Sequence, residues 1–546
     1  MRILWLLALA SLAVLTVNCT GVPAVIQAAG PEVVTPAATP ATIPPTQEPT
    51  PLAPGAQPVQ NVWADPALPE ALKEGMVLNP GSGWAGAGQT DAARLSILPE
   101  KPAEPAELYW VYALVTPFSQ RRYEATQAEV RQAWRKADPE AALWMSAETR
   151  AVFSARWGAP GKDAVHVEPA RDLLDRAWQA GAEWAILPFE QVEPRWRVLR
   201  VGGQSPFDPE FRINAYSLSV PVGWQNLRGA EPAVLPESNY RRDQLTVLAM
   251  TGVTALVRRT AGLINTKGVL YPASTLDGWL SDADLTHISN EVSFNSDCPP
   301  AKAALKEALF CSPPSYIRLL EKAGTDVVEL TGNHNLDRGK DAYLETLAMY
   351  AQRGWLTYGG GADLEQADRP LLVENHGNRL AFLGCNMAGP DIAWATVDSP
   401  GAAPCDFPRM ETQVAELRQA GYLPVVTLQA FETEDYSPAP MQQPTEFLRL
   451  AEAGAVVVSG SQAHVPQGFK FGGDGLIHFG LGNLFFDQTD SSLTRRAFID
   501  RHVFYQGRYL GVELVPMILK EYGRPEPMRA ADRDEFLDTI LKASGW

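Results

Sequence analysis

Two stretches place side chains able to bind a cation or move a proton directly behind runs of β-forming residues. In Asp326-Val-Val-Glu-Leu-Thr-Gly-Asn-His-Asn-Leu-Asp-Arg-Gly339 the run ends at Gly332, and Asn333, His334 and Asp337 follow it. In Gly460-Ser-Gln-Ala-His-Val-Pro-Gln467 the run that precedes Gly460 is followed by Gln462 and His464. An asparagine offers an amide oxygen to a hard cation, and a histidine offers a metal ligand or a proton donor. A buried strand ending in a glycine turn sets the next side chains at the carboxyl edge of a sheet, where α/β folds build their sites. Taken alone, Gly332-Asn333-His334 is explained as well by a helix cap as by a site, so its companions decide.

Other strand-like runs also end in polar residues. Asn290 and Glu291 follow Thr286-His-Ile-Ser289, Gln429 and then Glu432 follow the run 425–428, and Asn483 follows the run that begins at Ile477. Of the seven histidines in the chain, His334 and His464 stand at such ends beside Asn, Gln or Glu and are read as site residues. His287 and His478 lie inside runs and are read as core histidines.

What must position these residues is a repeated unit of helix, glycine, strand and polar turn from about residue 243. Gly324, Gly354, Gly421 and Gly454 each precede a strand-like run and suit the left-handed position that ends a helix. The runs are continuously apolar rather than alternating, as expected of strands covered on both faces. Strands are expected over 245–250, 326–330, 355–358, 380–384, 423–427, 455–459 and 477–481. They make a layered α/β domain whose strand ends converge on one edge. The segment 501–546 is expected to pack back on it through a last helix, 532–542, with Leu537, Ile540 and Leu541 on its apolar side.

Five stretches, in order, resemble the motifs of the CapA/PgsA family, associated with poly-γ-glutamate capsule synthesis. They are Asp284-Leu-Thr-His-Ile-Ser-Asn-Glu291, Thr331-Gly-Asn-His-Asn-Leu-Asp-Arg-Gly339, Tyr358-Gly-Gly-Gly361, Gly460-Ser-Gln-Ala-His-Val-Pro-Gln467 and Ile477-His-Phe-Gly-Leu-Gly-Asn-Leu-Phe-Phe486. The resemblance implies a calcineurin-like, metallophosphatase-type α/β sandwich over 243–500. It also shows departures at the family's metal positions, where Val253, Gln429 and Gln462 stand instead of Asp or His. Valine cannot bind a divalent ion, and glutamine binds one far less well than imidazole. What remains implies either one divalent ion held by Glu291, Asn333 and His464, or a polar pocket without metal. Asn290, Gln429, Gln462 and Asn483 would line that pocket. His334 is implied as the catalytic general acid or oxyanion partner, with Asp337 fixing its loop. The activity implied is metal-assisted hydrolysis or transfer; the alternative is a non-catalytic extracytoplasmic binding protein.

Ahead of this domain, 63–235 alternates strand-like and helix-like stretches. Strands are expected at 108–115, 143–146 and 183–187, and helices at 123–136 and 172–180. The second helix has Leu173, Leu174 and Ala177 on one face and stops at Gly181. The stretch from Leu187-Pro-Phe-Glu to Ser205-Pro-Phe resembles a lobe of phosphate-type periplasmic solute-binding proteins, which implies a smaller α/β binding-protein-like domain. Thr116, Ser119 and Ser146 could there donate to an anion, but are read first as helix caps.

The N-terminus points outward. Arg2 precedes an apolar run, 3–17, too short to span a bilayer and shaped like a signal-peptide core, and Cys19 follows where a lipidated cysteine would stand. Residues 1–19 are read as a lipoprotein signal and 20–62 as a linker, rich in Pro, Thr and Ala. The protein is therefore expected at the cell surface, attached to the membrane through a lipid anchor. Of three possible connectivities for the other four cysteines, two local pairs are simplest, Cys298 with Cys311 and Cys385 with Cys405. A formal net charge of −17 without any Lys/Arg run excludes a nucleic-acid backbone binder. The expected partner is an extracellular polymer or a small anionic solute.

Overall fold

Ten residues, Leu245–Thr254, are buried throughout and form the strand around which the second half is built. Parity along this strand separates two cores. Leu248 and Met250 pack with Val327, Leu380, Phe382, Val425 and Val457, whereas Ala249 packs with Ile264, Leu319, Leu320 and Tyr350. The same alternation divides Val425 from Val426 and Val457 from Val458, whose second members meet Met410, Val414, Phe447 and Leu450. The two-residue period thus sends one face of each strand to a shared core and the other to an outer layer of helices. The result is a helix–sheet–sheet–helix sandwich.

The computed structural model describes residues 60–546 apart from 101, 103–104, 139–141, 277, 301–309, 432, 439–442 and 462. Cys19, the signal segment, linker residues 20–59 and Gln462 lie outside the described residues. One sheet of the sandwich has the order Leu356–Tyr358, Val327–Glu329, Leu285–Asn290, Leu245–Thr254, Arg496–Tyr505, Arg508–Lys520, Arg524–Pro527. Its first four strands are parallel to one another, and the last three continue it antiparallel. The other sheet runs Leu371–Asn375, Asn378–Asn386, Leu423–Gln429, Val457–Gly460, Gly475–Gly480, Gln467–Gly472, with the four inner strands parallel. Gly324 ends the helix Ile317–Ala323 in the left-handed conformation, as expected. Arg496–Tyr505 runs across residue 500, so the segment from 501 onward begins inside the sheet. The last helix, Ala530–Ala543, buries Phe536, Leu537, Ile540 and Leu541.

The first region has a sheet of its own, centred on Leu108–Pro117, which pairs antiparallel with Ser219–Gln225 on one side and Trp184–Pro188 on the other. The helix Leu173–Ala180 buries Leu173, Leu174 and Ala177 and stops at Gly181. The helix expected from 123 begins later, at Gln127, because Thr126 and Glu129 form a reciprocal capping box. Ser146 caps the helix Ala147–Trp157, whereas Thr116 is buried within its strand and Ser119 lies in the turn beyond it. Both regions belong to one compact unit, Gln57–Trp546. Phe118 joins them by meeting Phe469, Phe471 and Trp546 edge-on, at centroid distances of 5.3, 5.3 and 5.5 Å.

Both expected disulfides are present. Cys298–Cys311 and Cys385–Cys405 have Cα separations of 5.8 and 5.0 Å.

The inner core of the sandwich also holds polar groups. His478 Nδ1 lies 2.5 Å from Asp500 Oδ2, and His502 Nδ1 lies 2.8 Å from the Tyr509 hydroxyl. His287 Nε2 is 2.8 Å from the Tyr358 hydroxyl, which is 2.9 Å from Thr427 Oγ1. His287 and His478 are thus core histidines, as read from the sequence. Burial pushes His287 down to about 3 and His502 down to about 4 from an ordinary 6.5. The unfolded chain takes up these protons first. The stability these rings contribute is therefore complete above pH 6.5 and is lost as the pH falls toward 4 for His502. The stability gap between wild type and His502→Gln is expected to be widest above pH 6.5 and to narrow toward pH 4. Denaturant titrations across that range check it; a gap independent of pH contradicts it.

Candidate functional site

The loop after Val327–Glu329 is held by close approach and by amide side chains. A Cβ on Gly332 would lie 2.5 Å from both Cα and Cβ of Glu291, so only glycine fits. Asn335 folds back to donate to the Leu330 and Gly332 carbonyls at 3.2 Å each, and Asn386 donates to the Thr331 carbonyl at 2.9 Å. Asn386 ends a strand of the other sheet, so this contact brings the carboxyl edges of the two sheets together.

His334 and His464 are each held through Nδ1. His334 Nδ1 is 2.8 Å from Asp337 Oδ2, which also accepts the Phe310 backbone amide at 2.7 Å. His464 Nδ1 is 2.8 Å from Asn483 Oδ1, and Asn483 Nδ2 donates to the His464 and Thr494 carbonyls at 3.2 and 3.1 Å. Both partner oxygens accept, so Nδ1 carries the proton in each ring and the lone pair of the neutral form sits on Nε2. Burial works against a charge on His334, but the Asp337 hydrogen bond and the nearby Glu291 charge outweigh it and raise its pKa.

The remaining expected residues divide between surface and support. Gln429 Nε2 donates to Asn333 Oδ1 at 3.2 Å, tying the two sheets together at the site. Glu291 is buried beside Gly332. Asn290 is buried and donates to the Val292 carbonyl and the Tyr350 hydroxyl, both at 2.7 Å, which turns it away from a lining role. Beneath the loop, a group absent from the sequence reading appears. Glu329 is fully buried, burial raises its pKa, and it accepts from the Thr331 hydroxyl.

Sequence reasoning also missed Arg258. Its guanidinium carbon lies 5.2 Å from the centroid of the Phe310 ring and 4.8 Å from that of Phe486. Phe310 in turn lies 4.5 Å from the His334 ring, and Phe486 stacks on His464 at 5.1 Å. The line His334, Phe310, Arg258, Phe486, His464 therefore joins the two candidate histidines through one cation. The only signal in the sequence is the pair Arg258-Arg259 directly after the apolar strand.

The metal reading fares differently. Among the described residues, no three His, Cys, Asp or Glu side chains are gathered as a metal site would need. Asn333 and Gln429 use each other, and Val253 offers no donor. The residues present do not fit a two-metal centre.

Residues 247–488 match the family model described as "Bacterial capsule synthesis protein PGA_cap". The match spans somewhat under half of the chain and marks this region as similar to that family. Among curated relatives, "Capsule biosynthesis protein CapA" of Bacillus anthracis is 24% identical over 322 residues, which cover 57% of this chain and 76% of that protein. "PGA biosynthesis protein CapA" of Bacillus subtilis (strain 168) is 24% identical over 233 residues, covering 42% of this chain and 60% of that protein. A solved 5'-nucleotidase precursor from Thermus thermophilus covers 55% of this chain and 58% of its own at 14% identity, with a TM-score of 0.31. The sandwich stands on its own topology. Among the described residues no helix is long and apolar enough to cross a membrane.

Proposed function

We propose that the protein works outside the cytoplasmic membrane in making, exporting or retaining a poly-γ-glutamate-type capsular polymer. The polymer is handled at the edge that carries His334 and His464. The match of 247–488 to the PGA_cap family carries this reading, because every residue placed at that edge falls within it. The names of the two CapA relatives, for capsule and PGA biosynthesis, support it. A γ-glutamyl polymer is a chain of amides with one carboxylate per unit. His334, with Nδ1 held by Asp337, offers Nε2 to take a proton from water or deliver one to an amide nitrogen. His464 is held through Nδ1 in the same way, by Asn483. Both orientations are set by the fold before a ligand arrives, which is what proton transfer at a fixed atom requires. The metallophosphatase-type descent of the sandwich and the lipid anchor at Cys19 belong to the same proposal. So does the use of 63–235 as a binding module for the polymer or a small anionic solute.

The test is gene replacement in a polymer-producing strain, with cell-bound and released polymer measured separately. His334→Ala and Asp337→Asn are expected to accumulate as protein but to lower polymer at least about tenfold. Normal polymer in both variants sinks the assignment of the site. Normal polymer after deletion of the whole gene sinks the function.

A further inference from the structure

Among the described residues this edge gathers no three His, Cys, Asp or Glu side chains, and a fixed cation stands there. Arg258 opens the helix Arg258–Lys267 directly after the central strand. Asp487, which is 0% exposed, lies 2.5 Å from Arg258 Nη2 and accepts the backbone amide of Arg259 at 3.0 Å. Phe310 and Phe486 flank the guanidinium, so its plane and position are set by groups on both sides. Asp487 is shared with the Arg259 side chain, so one buried carboxylate faces two guanidiniums. Arg259 also reaches Asp490, but that carboxylate is 68% exposed and screened by water. Among the described residues Asp487 is the only hydrogen-bond partner of the Arg258 side chain, and Nε–H has no acceptor. Nε–H is itself buried, and the Nη donors not used by Asp487 are the ones left for a ligand. A planar, rigid and weakly hydrated cation is well matched to a carboxylate.

We propose that the site grips carboxylate groups of its polymer with Arg258, held between Phe310 and Phe486, in the role that divalent ions fill at a metal-centred site. This rests on the polymer reading above and names the group that recognises the substrate. The flanking rings make the recognition one of shape as well as charge.

The test titrates the full chain with a defined poly-γ-glutamate oligomer and with its α-methyl ester, in EDTA and separately in Mn²⁺. The wild type is compared with Arg258→Gln, Arg258→Lys and Arg353→Gln, the last removing an arginine on a remote helix end paired with Glu321. Wild type is expected to bind the acid equally in EDTA and Mn²⁺ and to bind the ester at least about tenfold more weakly. Arg258→Gln is expected to lose at least about tenfold, Arg258→Lys to fall between, and Arg353→Gln to bind as wild type. Binding abolished by EDTA and restored by Mn²⁺ overturns the proposal, and so does a folded Arg258→Gln that binds as wild type. Should Arg258→Gln fail to fold, the ester decides, since equal binding of ester and acid overturns it without any variant. No binding by wild type removes the polymer reading and this proposal together, whereas equal binding by wild type and Arg258→Gln removes only this one.

Discussion

Gly252→Ala is expected to cost about 3 kcal/mol of folding stability and to disorder the site with it. A Cβ at Gly252 would lie 1.9 Å from the Gly482 carbonyl oxygen and 2.8 Å from its carbon, both backbone atoms. No rotamer change relieves such a contact, so one of two packed segments has to move. The displaced segment carries the carbonyl that accepts the Val253 amide at 3.0 Å, and the next residue is Asn483, the partner of His464. The expected result is a lowered thermal midpoint together with weakened polymer binding. Gly86→Ala is the control: nothing lies within 4 Å of its Cβ, and stability should stay within about 0.5 kcal/mol. An unchanged midpoint for Gly252→Ala contradicts the close approach of these two segments.

Asp500→Ala is expected to cost about 3–5 kcal/mol, the usual loss when one partner is removed from a buried pair. Asp500 is 0% exposed and holds His478 Nδ1 at 2.5 Å from the facing sheet. Alanine leaves that N–H buried without an acceptor and opens a space between the sheets. Asp500→Asn keeps a carbonyl oxygen at the same place and is expected to cost clearly less. Chemical denaturation of the two variants separates the hydrogen bond from the volume. Equal losses in both would assign the effect to charge alone.

The contrast between what could and could not be read in advance follows from where information sits in a chain. Strands such as Leu423–Gln429 were legible because apolar residues stand on both faces and a glycine precedes them. Gly332-Asn333-His334-Asn335 was legible as a site loop because a glycine and polar residues follow a β-forming run and similar polar residues stand at other strand ends. The hairpin Arg496–Tyr505 and Arg508–Lys520 was not. Asp500, Arg501 and His502 interrupt its first strand and read as a polar segment, yet all three are buried. Asp500 turns to His478, while Arg501 turns to the Trp279 carbonyl at 2.7 Å and lies beside Glu513. Arg258 was missed for the same reason. A pair of arginines at a helix start ordinarily faces water, and its partners Phe310, Phe486 and Asp487 come from distant parts of the chain.

The pairing of Leu245–Thr254 with Arg496–Tyr505 also bears on how such a protein matures. A chain made from its N-terminus presents Leu245–Thr254 early, and Leu285–Asn290 soon afterwards covers one side. The other side stays open until the hairpin arrives, leaving a ten-residue buried strand with unpaired amides and carbonyls. Such an edge invites pairing with any neighbouring strand, and distant pairings form slowly. Chains that end ahead of the hairpin keep this edge open and are expected to aggregate.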